Sequence, residues 1–118
     1  MVKRQGEYRK VYEPNLKGGD GIIEIENLFE PEDFHGIGRL YGISIIHPGD
    51  SIGWHQHIGE QEAYFILEGE ALYNDNGEET ILRPGDYAIC RDGEFHAIKC
   101  HGEKTLKYIA FIMFTNKK

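Results

Sequence analysis

The sequence predicts an all-β protein, a double-sheet jelly-roll barrel (double-stranded β-helix) built from eight or more short strands. Fifteen glycines and four prolines are scattered between short β-branched and aromatic runs, a pattern typical of strands joined by tight turns. Apolar residues show almost no helical periodicity. At 118 residues the chain has the size of one ordinary domain, so a single barrel is expected.

The chain begins with a polar arm, residues 1–21, which we expect to belong to the same domain as the barrel, residues 22–118. The arm contains the turn or flexible joint Gly18-Gly19-Asp20-Gly21. Val11 and Tyr12 could start an edge strand, but a mobile or partner-bound arm is an equal alternative.

Apolar runs bounded by turn residues predict the barrel strands, in order 22–29, 40–47, a strand that carries His55, then 62–67, 71–73, 80–82, 87–90, 96–101 and 106–114. Acidic residues around Pro31 suit a single helical turn or loop, anchored by Phe34. Asn76-Gly77 predicts a two-residue hairpin turn. The last run is apolar on both parities from Tyr108, so we expect it to be covered on both faces.

Four residues carry the chemistry. His55 and His57 are two residues apart, so on a strand both imidazoles lie on the same face. Glu62 opens an aromatic and apolar run that is long enough to pair antiparallel with that strand, which would turn its carboxylate toward the imidazoles. His96 follows a glycine turn further along. Three neutral imidazoles and one carboxylate suit a divalent transition metal with coordination positions left open.

These residues resemble the motifs of the cupin superfamily, in its small single-domain form. The first motif is Gly, five residues, His-x-His, three or four residues, Glu, six residues, Gly; it is matched by Gly49, His55, His57, Glu62 and Gly69. The second is Gly, five residues, Pro-x-Gly, two residues, His, three residues, Asn; it is matched by Gly85, Gly93 and His96, with departures at Arg91 and Cys100. The resemblance spans residues 40–114 and implies the jelly-roll fold with four metal ligands facing the interior.

The acidic ligand has two neighbours that compete for the role, Glu60 and Gln61. We assign Glu62 because six residues separate it from Gly69, as the motif requires, and because parity places it with Tyr64 on one face.

The other histidines fall outside both motifs and are interpreted as surface or structural residues: His35, His47 and His101. Cys100 shares a face with His96 but lies four residues on, roughly 13 Å along a strand, too far to be a ligand. Trp54 and Phe95 each precede a ligand, so alternation predicts that both point away from the metal.

The resemblance implies a metal centre more firmly than a reaction. Similar cupins include oxalate decarboxylases, dioxygenases of cysteine or quercetin, sugar-phosphate isomerases and ligand-binding modules, and fold alone does not choose among them. The chain is most similar to the oxalate-decarboxylase-like group. However, a true oxalate decarboxylase would carry Arg where this chain has Ile52, and the loss of that bidentate anchor argues against decarboxylation of oxalate. Possible replacements are Arg39, Arg83 and Arg91.

Two functions stay open. In the first, the protein is a metalloenzyme whose single divalent ion (Mn, Fe, Co, Ni, Cu or Zn) polarises or oxidises a small oxygen-rich substrate in the barrel, as a decarboxylase, dioxygenase or isomerase would. In the second, it is a non-catalytic module that binds a small ligand or uses the metal for stability. The sequence names no catalytic residue beyond the ligands.

The net charge of −7 works against binding to nucleic acid or anionic membrane. The sequence shows no signal peptide and no long apolar window, so we expect a cytoplasmic protein without a membrane partner. Two cysteines, Cys90 and Cys100, are too few for a disulfide scaffold and are expected to be reduced thiols.

We also expect a homodimer. A small barrel fills its interior with one parity of each strand, yet the last strand is apolar on both, and Phe65 and Leu67 point away from Glu62. The arm, a second sheet or another subunit must cover that outer parity. The arm could cross to a neighbour's sheet edge; the alternative is a monomer whose arm folds back on its own barrel.

Overall fold

The computed structural model describes residues 1–115 and confirms the jelly-roll fold: two antiparallel β-sheets face each other. Two single-turn 3₁₀ helices, Leu16–Gly18 and Pro31–Phe34, accompany the strands. The strands are β1 (Arg9–Pro14), β2 (Ile22–Asn27), β3 (Gly38–Ile46), β4 (Ser51–Gln56), β5 (Glu60–Glu68), β6 (Glu70–Asp75), β7 (Glu78–Leu82), β8 (Tyr87–Cys90), β9 (Phe95–His101) and β10 (Leu106–Phe114).

The strand boundaries agree with the sequence prediction to within two residues, because the turns are set by local chemistry. Asn76 and Gly77 both have positive φ, 54° and 104°, as a two-residue hairpin turn of type I′ requires. The helical turn after Pro31 is also present, and its anchor Phe34 is buried.

The larger sheet has the order β1-β2-β3-β10-β5-β8, and the smaller sheet has the order β4-β9-β6-β7. β5, β6, β9 and β10 bury alternate side chains between the sheets. That space is filled mainly by fully buried apolar side chains: Ile23, Ile46, Ile66, Ile98, Leu106 and Tyr108. The chain alternates between the sheets at β3, β4 and β5, so residues close in sequence face each other across the interior.

The arm forms the edge of the larger sheet in this structure. β1 pairs antiparallel with β2, with Val11 opposite Ile25. The turn that follows presses on β4 so closely that a Cβ atom added to Gly53 would overlap the carbonyl oxygen of Lys17. Of the alternatives for residues 1–21, the described chain adopts the edge strand.

The outer face of the larger sheet is apolar and partly open. On β10 the inward parity is buried, but the outward Phe111 is 36% exposed, and Phe65 on the adjacent β5 is 43% exposed. Leu67 and Tyr87 continue this face. We expected the last strand to be covered on both faces. Within a single chain its inward face is buried, but its outward face is only partly covered.

No helix in residues 1–115 is both long and apolar enough to cross a membrane.

Candidate metal centre

Four side chains predicted as ligands meet between the two sheets. His55 lies on β4, directly opposite His96 on β9, while Glu62 projects from β5 of the other sheet. His57 follows the last residue of β4. One ligand atom from each of the four residues lies within 4.8 Å of all the others.

The predicted antiparallel pairing of the strands that carry His55 and Glu62 is wrong. β4 pairs with β9, and β5 pairs with β10 and β8, so the two strands belong to different sheets. The carboxylate meets the imidazoles across the barrel interior rather than along a hairpin. The shared faces predicted from parity still hold, because alternation does not depend on which strand is the neighbour.

The Nε2 atoms and the carboxylate converge on one point. Nε2 of His96 lies 3.1 Å from Nε2 of His55 and 3.1 Å from Nε2 of His57. Oε1 of Glu62 is 3.1 Å from Nε2 of His57 and 3.3 Å from Nε2 of His96. His57, Glu62 and His96 are buried, and His55 is half-buried at the cavity side.

Each imidazole is oriented by a hydrogen bond at its other nitrogen. Nδ1 of His55 donates to the backbone carbonyl of Gly53 at 2.7 Å. Nδ1 of His57 donates to the Glu60 carboxylate at 2.6 Å, and Nδ1 of His96 lies 2.9 Å from the Tyr73 hydroxyl. Hydrogen bonds of this kind fix which nitrogen faces a metal and raise its basicity.

Glu60, the competing acidic candidate, is thus placed behind His57. Its carboxylate also binds the Arg39 guanidinium through two hydrogen bonds of 2.7 Å each. The hydrogen bonds from Arg39, which have the largest effect, and from His57 outweigh partial burial and lower the pKa of Glu60. Glu60 therefore stays ionised as a support for His57.

The donor set fits a divalent transition metal. A carbonyl and a carboxylate only accept hydrogen bonds, so His55 and His57, when neutral, carry their protons on Nδ1 and lone pairs on Nε2. Both lone pairs face Nε2 of His96, an arrangement that a cation stabilises. Two donors about 2.1 Å from one ion, at right angles, lie about 3.0 Å apart, close to the spacing of these atoms. The cluster could therefore hold a metal ion.

The electrostatics of the cluster are those of a cation site. Burial lowers the pKa of His55 to about 4, so its imidazole is neutral at pH 7. Burial alone would raise the pKa of Glu62, but hydrogen bonds from His57 and His96 hold it at about 2. Burial would also lower the pKa of His57, yet hydrogen bonds to Glu62 and Glu60 raise it. A proton on His57 must leave before Nε2 can bind a metal.

A cavity of about 370 Å³ opens beside the cluster. Part of its wall comes from the arm, from residues for which the sequence suggested no role in the site: Arg9, Val11, Glu13, Leu16 and Lys17. Ser44, Ile52, Tyr64 and Tyr108 line the inner wall. Two tyrosines of the site could have been found from sequence by strand alternation: Tyr64 lies two residues after Glu62 on β5, and Tyr73 lies two residues after Ala71 on β6. No sequence signal connected the arm to the cavity.

The remaining candidates lie away from the cluster. The rings of Trp54 and Phe95 stack on each other at 5.3 Å, and Trp54 is 49% exposed, so these residues point outward as predicted. The three histidines outside the motifs are exposed: His35, His47 and His101. Cys90 and Cys100 are buried free thiols, and Cys100 donates to the carbonyl of Lys104.

Comparison with known proteins places this chain in a family. The model of the cupin domain matches residues 42–112. The oxalate-binding protein of Thermotoga maritima is 36% identical over 113 residues, which cover 96% of this chain and 93% of that protein. A crystal structure of a predicted oxalate decarboxylase from Thermotoga maritima, also 36% identical, superposes with a TM-score of 0.91 over 97% of this chain and 99% of that chain.

A more distant relative is an enzyme. The 5-nitrosalicylic acid 1,2-dioxygenase of a Bradyrhizobium species is 34% identical over 73 residues, which cover 61% of this chain but only 35% of that protein.

The family match spans more than half of this chain, and the jelly-roll fold and inward His and Glu residues agree with it. The chain therefore belongs to the cupin family.

Proposed function

We propose that this protein binds one divalent transition-metal ion through His55, His57, Glu62 and His96 and holds a small oxygen-rich carboxylate at the coordination positions left open. The observation that carries the proposal is the convergence of three Nε2 atoms and one carboxylate oxygen beside a cavity of about 370 Å³. A metal in this ligand set supplies a Lewis acid that binds and polarises carboxylate oxygens.

The chain's own residues suit such a ligand. Burial raises the pKa of Tyr64 well above its ordinary value, so its hydroxyl stays protonated; it donates to Glu62 at 3.2 Å. With one charged carboxylate among the ligands, the loaded cluster keeps a net positive charge, which favours an anion. The relative that spans nearly all of this chain is named for oxalate binding, so oxalate is the first ligand to test.

The decisive experiment compares metal-loaded and metal-free protein. Elemental analysis should find about one transition-metal ion per chain, and calorimetric titration should detect oxalate binding only after Mn(II) loading. Protein stripped with a chelator serves as the matched control. Oxalate binding of equal affinity in stripped protein would contradict a metal-held ligand.

Catalysis is the second candidate, favoured by the open coordination positions and by the dioxygenase relative. As a metalloenzyme, the protein would decarboxylate, oxidise or isomerise a bound metabolite. Ile52 lies on the cavity wall where an oxalate decarboxylase would carry Arg, so oxalate binding without turnover is the expected result for that ligand. Formate release from oxalate under Mn(II) or Fe(II) would contradict this assignment and support the enzyme.

We further propose that the functional form is a homodimer that covers the apolar outer face of the larger sheet with a second copy. Phe65 lies between Ile109 and Tyr87 in the register of three adjacent strands, which makes this face continuous. Light scattering should give twice the 13.5 kDa of one chain. A monomer mass would contradict the dimer, and a dimer that survives deletion of residues 1–17 would show that the arm is not exchanged.

A further inference from the structure

One buried hydroxyl in the cavity wall has no hydrogen-bond partner. Tyr108 is fully buried on β10, with its ring 4.4 Å from that of Tyr64. Ser44 and Tyr64 lie beside its hydroxyl, but no group within residues 1–115 meets it in hydrogen-bonding geometry. Burial raises the pKa of Tyr108, so the hydroxyl keeps its proton. Because a buried unpaired donor costs free energy, an oxygen atom of a bound ligand is the partner that this position lacks.

Three cationic residues line the cavity wall: Arg9, Lys17 and Arg39. Arg9 binds Glu30 at 2.9 Å, and Arg39 is held by two hydrogen bonds to Glu60. Within the described chain no carboxylate pairs with Lys17. Lys17 is exposed, so its charge is solvated in the free protein and can pair with a ligand that enters the cavity.

The backbone fixes Lys17 at this place. Its φ of 56° lies in the left-handed region, which is uncommon for a residue other than glycine. Its carbonyl oxygen packs on Gly53, where any side chain would collide with it. Gly53 follows Ile52 directly, so the backbone of Lys17 lies close to the wall position at which an oxalate decarboxylase would carry Arg.

The three arginines named from sequence as replacements for that residue are not placed to serve. Arg39 lines the cavity but is held by Glu60, whereas neither Arg83 nor Arg91 lines it, and Arg83 pairs with Glu70 at 3.3 Å. Of the arm's two cationic residues in the cavity wall, Arg9 and Lys17, Arg9 is paired with Glu30, so Lys17 is the candidate for this role.

We propose that Lys17 and Tyr108 select the ligand: Lys17 pairs with its negative charge, and Tyr108 donates a hydrogen bond to an oxygen that faces the inner wall. This inference rests on the proposed function and names the residues that give it specificity. Because the attraction to Lys17 grows with the charge of the ligand, a dianion gains more from Lys17 than a monoanion of the same shape. Glu13 lines the same wall and repels anions, so the preference for the dianion depends on Lys17 and should shrink when Lys17 is replaced.

The test titrates oxalate and oxamate, which has the same shape and one charge fewer, into Mn(II)-loaded protein. Lys17→Asn removes the charge and keeps a residue that tolerates left-handed backbone. We expect it to weaken oxalate binding about tenfold, with a smaller loss for oxamate and unchanged Mn(II) affinity. Lys10→Asn is the control. Lys10 lies on the face of β1 opposite to the cavity-lining residues Arg9, Val11 and Glu13, and it pairs with Glu26 at 3.6 Å.

Tyr108→Phe separates a ligand contact from a structural role. The variant should lose affinity for both anions, yet the ligand-free protein should be at least as stable as wild type, since an unpaired buried hydroxyl is removed. Unchanged affinities in Lys17→Asn or in Tyr108→Phe would overturn the role of that residue. If metal-loaded wild type binds neither anion, the proposed function itself fails; if wild type binds and both variants bind equally well, only this inference fails.

Discussion

Replacing Glu60 with Gln tests how the metal centre is held in place. The Glu60 carboxylate accepts a hydrogen bond from Nδ1 of His57 at 2.6 Å and two from Arg39 at 2.7 Å. Glutamine keeps the size of the side chain and one acceptor oxygen, but its NH₂ group cannot accept from Arg39. The variant leaves all four proposed ligands intact and weakens only the support behind His57.

The expected loss follows from the position of Glu60. Partners that orient a metal ligand typically contribute about 10–100-fold to metal affinity. The Glu60 side chain is 13% exposed and its bond to His57 is short, so we expect a loss of about 30-fold, or about 2 kcal/mol. An ordinary exposed ion pair contributes about 0.2–1 kcal/mol, which is less than about sixfold. The two cases are therefore distinguishable.

The assay is a chelator-competition titration of Mn(II) or Zn(II) at constant pH. Glu26→Gln is the matched control, because it breaks the ion pair with Lys10 and contacts no proposed ligand; we expect its metal affinity to change less than twofold. Unchanged affinity in Glu60→Gln would refute the supporting role. A larger loss in Glu60→Gln than in Glu62→Gln would instead make Glu60 the acidic ligand.

Three further predictions concern the centre and the arm. His57→Ala should abolish stoichiometric metal binding in elemental analysis, whereas exposed His101→Ala should not; a retained ion in His57→Ala would contradict the ligand assignment. Metal affinity should fall from pH 8 to pH 5, beginning above the ordinary histidine pKa of about 6.5, because the pKa of His57 is raised and its proton competes with the metal; a calorimetric series that stays flat would count against this. Gly53→Ala should lower the free energy of unfolding by about 1–3 kcal/mol, since the added Cβ collides with the carbonyl of Lys17; an unchanged urea midpoint would show that the arm is not locked there.

Much of the fold was predictable because strands and tight turns are encoded locally. Side chains alternate every two residues whatever strand lies alongside, so spacing placed His55 and His57 on one face and Glu62 with Tyr64 on another. The resemblance to the cupin motifs then implied that the four candidate ligands face the interior. Turn residues such as Asn76-Gly77 mark strand ends for the same local reason. The cupin motifs combine both signals, and this is why the fold and the ligand candidates could be named together.

Pairing between strands is a property of the whole molecule, and here the sequence was insufficient. It suggested that β4 and β5 lie side by side, but β4 pairs with β9 and β5 pairs with β8 and β10, all further along the chain, and the ligands meet across the interior. The same long-range packing folds the arm over the cavity.

The sequence by itself determined which side chains share a strand face and which of them can ligate a metal, because these properties depend on spacing and side-chain chemistry; its resemblance to the cupin motifs indicated the face that lies inward. Only the tertiary structure decided that Glu60 supports His57, that Tyr108 has an unpaired hydroxyl, and that Lys17 stands at the cavity. Lys17 and His55 are separated by 38 positions along the chain, too far for any local pattern to connect them. The contact between Lys17 and Gly53 forms only when the arm packs on the finished barrel.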